Sequence, residues 1–143
     1  MNPFEEYFGT KRILAMQEDR DGVRGYAVIY NANTPDEYTS WSPADVFEAA
    51  YQPSDAMSFS GALAAIKAGE KVARRGWNGK GMFVFLVNGS KFHVNRPPLL
   101  GIYPEGTEIN YQSHIDMRTA DGTIVPWLAS QSDLLADDWS IFD

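Results

Sequence analysis

The chain has 143 residues, 44% of them apolar and 13% aromatic, enough to bury one core with a small appendage and too many for intrinsic disorder. The lack of cysteine excludes a disulfide scaffold, a thiolate metal site and a cysteine nucleophile, and no apolar run approaches the roughly 18 residues of a spanning helix. The net charge of −7 is uneven, with ten acids against four bases in residues 1–55 and nine against eight in 56–143, and no Lys/Arg stripe suits polymeric DNA or RNA.

The opening MNPFEEYFGTKR is acidic and polar where a secretory signal is basic and then apolar, so a cytoplasmic protein is expected. GYAVIY (25–30) reads as a strand by its β-branched and aromatic content, and YTSW (38–41) as a short one after the polar turn NANTPDE. Ser42-Pro43-Ala44-Asp45 then reads as a helix start, with Ser42 at the cap and Val46, Phe47 and Ala50 on one face. The stretch QPSDAM (52–57) breaks this pattern, and Met57 opens a fresh amphipathic segment. Two domains are therefore expected: a small acidic module over 1–56, marginal by itself at that size, and a larger domain over 57–143.

In the larger part, Ser58 or Ser60 can cap a helix through Ala68, with Ala62, Leu63 and Ile66 inward and Gly69 as its stop. KVARRGW (71–77) alternates like a strand, Asn78-Gly79-Lys80-Gly81 makes a turn, and MFVFLV (82–87) is a nearly continuous apolar strand. NGS (88–90) turns into KFHV (91–94), and Pro97-Pro98 begins an irregular section through TEINY (107–111). HIDMRTA (114–120), the hairpin signal Asp121-Gly122 and TIVPWL (123–128) follow. Ser130 and Asp133 have capping-box spacing, predicting a last helix from about Gln131 to Trp139. The predicted class is α+β: an antiparallel sheet of hairpins flanked by an N-terminal and a C-terminal helix, preceded by a small α+β module.

Catalytic signals are weak. His93 and His114 lie 21 residues apart on separate predicted strands with no metal-ligand spacing, so neither a metal site nor a cofactor is expected. His114 and Asp116 share a strand face, as an acid–base pair or as an ordinary surface pairing. No nucleophile elbow or phosphate loop appears, and Asp137-Asp138 reads as a solvated helix end.

Binding signals are stronger. Trp77 follows a basic strand and precedes a glycine turn, and Trp127 ends a strand just before a helix start. Tryptophans at strand ends beside loops can sandwich a planar base, or they can simply fill the core. Lys71, Arg74, Arg75 and Lys80 supply local positive charge, either as a solvated strand edge or as a phosphate grip. Arg74 or Arg75 can meet a phosphate, as can amides at the start of the last helix, while Asn78 and Asp133 can take ribose hydroxyls.

Two blocks, SFSGALAAIKAGEKVARRGWNGKGMFVFLVNGS (58–90) and IDMRTADGTIVPWLASQSDLLADDW (115–139), closely resemble the second type of Thoeris anti-defence sponge of phages. FHVNRPPLLGIYPEGTEINYQSH between them is similar to that family as well, so the resemblance spans about residues 57–143. It implies a small α+β homo-oligomer, typically a tetramer, that sequesters cyclic ADP-ribose isomers such as glycocyclic ADP-ribose without cleaving them. Some members also hold cyclic oligonucleotides at a separate site. The family's pockets lie between subunits, and its stacking tryptophans fall on Trp77 and Trp127. Arg75, Asn78, Lys80 and Asp133 are candidates by proximity and chemistry only.

The shorter members begin near the equivalent of Met57, so residues 1–56 are an addition. TKRILAM and SWSPADVFEAAY within them resemble a small phage and prophage module. Shielding, a subunit contact or a narrowed second pocket are its possible roles, with scaffolding as the default. Two rival expectations stand beside the sponge. One is an enzyme degrading the same signal through His114, Asp116 or Asp133. The other is a phage structural or adaptor protein acting through the acidic module.

Overall fold

A computed structural model describes residues 2–143, and the chain divides between Pro53 and Ser54 into two compact units. In the first, strands β1 (Leu14–Gln17), β2 (Gly25–Tyr30) and β3 (Tyr38–Pro43) form an antiparallel sheet in the order β1-β2-β3. Strand alternation places Tyr26, the fully buried Val28 and Tyr30 on one face. Helix α1 (Ala44–Ala50) packs there, with Phe47 stacked on Tyr26 at 4.2 Å between ring centres. Glu48 adds a tie to β2 by accepting from Arg24 Nη2 and the Tyr26 hydroxyl, each at 2.8 Å.

The predicted helix start shifts by one residue. Ser42 still pairs with Tyr26 in the ladder, so β3 runs on to Pro43, which caps the helix without a side-chain hydrogen bond. The helix packs through its Ala44–Phe47 face. Ala44 is buried and Phe47 half-buried, whereas Val46 and Ala50 are exposed.

In the second unit, helix α2 (Phe59–Lys67) lies on a five-stranded antiparallel sheet. The strands are β4 (Val72–Arg74), β5 (Phe83–Val87), β8 (His114–Arg118), β9 (Ile124–Pro126) and β10 (Trp139–Ile141), in the order β10-β4-β5-β8-β9. Ser58 is the residue at the α2 cap position, and Gly69 follows its end at φ +92°, a left-handed turn that glycine adopts without steric cost. Ala62 and Ile66 point into the core with Met57, Val72, Val84 and Trp139, while Leu63 is only half-buried. The register pairs Val72 with Val84 and Val84 with Met117, which keeps one sheet face apolar under the helix.

Four predicted elements differ. The segments around NGS do not form a hairpin: β5 pairs with β8, and β6 (Ser90–His93) instead pairs with β7 (Glu108–Tyr111) in a separate ribbon. TEINY is thus largely strand, because β6 offers it a ladder that local composition does not reveal. The KVARRGW strand stops at Arg74, and the Trp77 amide closes a turn on the Arg74 carbonyl at 3.3 Å. The last helix, α3 (Gln131–Leu135), ends four residues before Trp139. Trp139 is a strand residue there, exchanging backbone hydrogen bonds of 2.7 and 3.1 Å with Met57 and pairing with Arg74. Among the described residues no helix is long and apolar enough to cross a membrane.

Candidate functional site

The site is organised around Trp139, which starts β10 rather than ending the predicted last helix. Trp139 is fully buried, and the half-buried Trp77 and Trp127 each meet it nearly at right angles. The ring centres are 5.3 Å apart for Trp77 and 5.9 Å for Trp127, with interplanar angles of 80° and 82°. Phe59 of α2 completes the cluster, 5.4 Å from Trp139 and 6.0 Å from Trp127. Edge-to-face packing of this kind sets ring positions as well as burying area. Trp127 sits directly after β9, and its amide donates to the Ile115 carbonyl at 3.0 Å.

A polar network fixes Trp77 from the other side. Asp133 Oδ1 accepts from the Trp77 indole nitrogen at 3.2 Å and from Arg74 Nη1 at 2.9 Å. Its Oδ2 accepts from the Ser130 amide at 3.1 Å, while Ser130 Oγ accepts from the Asp133 amide at 3.0 Å, completing the capping box. The Asp133 carbonyl also accepts from Trp139 Nε1 at 2.9 Å. One residue of α3 thereby orients two of the three tryptophans.

Arg74 is the hub of the charges. Its Nε donates to Asp138 Oδ1 at 2.9 Å, and Asp138 Oδ2 accepts from the Gly76 amide at 2.8 Å. Burial pushes the Asp133 carboxyl up, but hydrogen bonds from Arg74, Ser130 and Trp77 outweigh it and hold it below the usual range. Asp138 is lowered chiefly by the Arg74 hydrogen bond, and Arg74 is raised by Asp138 and Asp133. Asp138 is therefore no solvated helix end but a half-buried partner holding the turn before Trp77.

The remaining candidates lie around this cluster. Arg75 is exposed and donates to the Asp55 carbonyl at 2.8 Å, with the Asp55 carboxylate 3.6 Å away. Asn78 and Lys80 are exposed in the turn after Trp77. Asp133, by contrast, is buried with both carboxylate oxygens engaged inside the protein. The capping box likewise occupies the Asp133 amide at the start of α3. Arg74, Asp138 and Trp139 are the neighbours that local sequence did not single out as one site; only the basic character of Arg74 hinted at it.

His114 and Asp116 do come together, with Nε2 3.5 Å from Oδ1. His114 Nδ1 lies 3.1 Å from the Gln112 carbonyl, and Asp116 Oδ1 is buried without a hydrogen-bond partner. His93 stands on the ribbon opposite Glu108. No group of three or more His, Cys, Asp or Glu among the described residues could hold a metal. An open concavity lined by Gly89, Ser90, Lys91, Asn110 and Tyr111 lies on the ribbon, and its lining includes none of the tryptophans.

Residues 57–142 match the Thoeris anti-defense 2-like domain. Among known proteins the chain is similar to Thoeris anti-defense 2 of Bacillus phage SP01, 41% identical over 85 residues that cover 59% of this chain and 93% of the relative. The matched stretch contains the whole tryptophan cluster and its Asp133–Arg74–Asp138 network, and it accounts for more than half of the chain. The chain therefore belongs to the Thoeris anti-defense 2-like family.

Proposed function

We propose that this protein is a phage anti-defence sponge that binds a cyclic ADP-ribose-type signal, such as glycocyclic ADP-ribose, and withholds it from the Thoeris effector without cleaving it. The observation that carries the reading is the pair of half-buried tryptophans braced on Trp139, with Arg75, Asn78 and Lys80 exposed beside one of them. A base stacks on Trp77 or Trp127, the exposed cations meet the pyrophosphate, and Asn78 takes a ribose hydroxyl. Asp133, locked by Arg74 and its cap, contributes by holding Trp77 in place.

Sequestration needs a dissociation constant below the signal concentration, on the order of nanomolar or about −12 kcal/mol. A ligand of this size reaches such affinity only when largely enclosed. Enclosure by neighbouring subunits supplies it, so a homotetramer acting in the cytoplasm of the infected host is part of the proposal. A separate site for cyclic oligonucleotides is an additional element of it, and polymeric nucleic acid is not a proposed ligand.

The test is to incubate the protein with glycocyclic ADP-ribose, remove it by filtration, heat the retained fraction and identify the released compound by mass spectrometry. Ligand lost from the filtrate and recovered intact is the expected result. A changed mass would replace the sponge by an enzyme, with the His114–Asp116 pair as the first candidate. Ligand left free would overturn this choice of signal, and a protein partner in its place would favour the adaptor reading.

A further inference from the structure

The first unit carries an unpartnered sheet face and an unpartnered apolar segment that fit one another. Strand alternation puts Leu14, Met16, Ala27, Ile29, Thr39 and Trp41 on the face opposite α1, in cross-strand rows Leu14–Ile29–Thr39 and Met16–Ala27–Trp41. Leu14 is 55% exposed and Met16 64%, although an apolar sheet face ordinarily packs on another layer. Arg20, paired with Glu18 at 2.9 Å, lies over the Trp41 ring at 5.7 Å and closes that end of the face.

Residues 2–9 hold the complementary pattern. Phe4, Tyr7 and Phe8 are 84%, 83% and 94% exposed, at the i, i+3, i+4 spacing that aligns side chains on one helix face. The segment also has helix punctuation: Asn2, then Pro3, then Glu5 and Glu6, and finally Gly9. Asn2 Oδ1 already accepts from the Phe4 amide at 3.0 Å, the bond a capping asparagine makes, while the segment itself has no regular structure. A helix this short is not stable alone and forms only when its apolar face is docked.

We propose that residues 3–8 fold into a short helix on the open face of the small sheet in a second copy of this chain. Aromatic rings of the segment cover Leu14, Met16 and Ile29, and its glutamates stay toward solvent. A second copy is favoured over the segment's own sheet by Lys11, whose Nζ lies 4.8 Å from the centre of the Tyr30 ring. Tyr30 shares the Val28 face, where α1 packs, so this contact leads the segment away from the open face of its own chain. Reciprocal donation of the segment by two copies is self-complementary, as a closed two-fold contact requires. The acidic module would then add a subunit contact that does not depend on the ligand.

The lack of native cysteine permits a direct test on the full-length chain. One preparation carries Thr10→Cys, beside the segment, and another carries Thr39→Cys, on the open face. Mixing them under a mild oxidant should give covalent pairs between the two chains, lost when Phe4→Ser and Phe8→Ser are added. Replacing the face partner by Val46→Cys, exposed on α1, should also lose them. Amide exchange across residues 3–8 should slow as the chain concentration rises. Pairing within a single chain carrying both cysteines, equal pairing with Val46→Cys, or neither pairing nor concentration-dependent protection would overturn the proposal. Each outcome is independent of whether a nucleotide binds.

Discussion

Arg74 and Asp133, 59 residues apart in the chain, form a half-buried ion pair at 2.9 Å whose carboxylate oxygen also receives the Trp77 indole. The side chains are 18% and 12% exposed, so the pair is shielded from solvent far more than an ordinary surface bridge. Removing one member leaves the other charge short of a partner. Asp133→Asn should destabilise the second unit by about 2–4 kcal/mol. Asp133→Glu, one methylene longer, should also loosen Trp77. Urea titrations of the full chain would measure the first effect. Weakened ligand retention at a concentration where the variant remains folded would measure the second.

The same network predicts an acid-labile step. Asp133 and Asp138 have folded carboxyl pKa values below the ordinary 3.8. Groups depressed in this way contribute stability that is present above their unfolded pKa and lost as pH falls through the folded value. Stability of the second unit should therefore hold down to about pH 4 and decline below it. In Asp138→Asn that decline should be shallower, as read from thermal melts across the acid range. Asp121, held to about 2 by Thr119 and Thr123 in the β8–β9 hairpin, should keep its charge well into acid.

The three tryptophans should separate by role. Trp139 is fully buried, and Trp139→Ala should cost about 3–5 kcal/mol and abolish cooperative unfolding of this unit. Trp77→Ala and Trp127→Ala remove half-buried rings, so the fold should survive while the proposed sequestration of a cyclic signal is lost. Circular dichroism and the filtration experiment on the same samples give both readings. A folded Trp77 or Trp127 variant that still retains ligand would remove that residue from the site.

Asp116→Asn should stabilise the protein. Asp116 Oδ1 is buried without a hydrogen-bond partner, 3.5 Å from His114 Nε2, while His114 Nδ1 faces the Gln112 carbonyl at 3.1 Å. An amide nitrogen in place of that oxygen can donate to Nε2, and a buried acceptor without a donor costs about 1–3 kcal/mol. A rise in melting temperature is the expected result.

Gly25→Ala should damage the first unit alone. A Cβ there would overlap the Trp41 ring and lie 2.6 Å from the Ser42 carbonyl oxygen, so the sheet must distort around it. Overpacking of this type costs about 1–3 kcal/mol. Near-ultraviolet signals from Trp41 should change while ligand binding by the second unit persists.

Short-range chemistry decided much of this protein before any tertiary contact is considered. β-Branched and aromatic content marks β2, a nearly continuous apolar run marks β5, Asp121-Gly122 marks the β8–β9 hairpin, and the Ser130–Asp133 spacing marks a capping box that the structure contains. Trp77 and Trp127 were legible as loop-edge aromatics for the same reason, since the turn residues beside them are local. What only the folded chain decided is the identity of their support. Whether Trp139 continues a helix or starts a strand depends on the free backbone edges of Met57 and β4, which lie 82 and 65–67 residues earlier. Likewise, which of the adjacent Arg74 and Arg75 is consumed internally follows from strand alternation once β10 has docked, bringing Asp138 and Asp133 to Arg74 and leaving Arg75 exposed. Local sequence specifies turns and periodicity because those interactions span a few residues. The partners of a buried charge or ring are set by chain closure over tens of residues, and no short window contains that information.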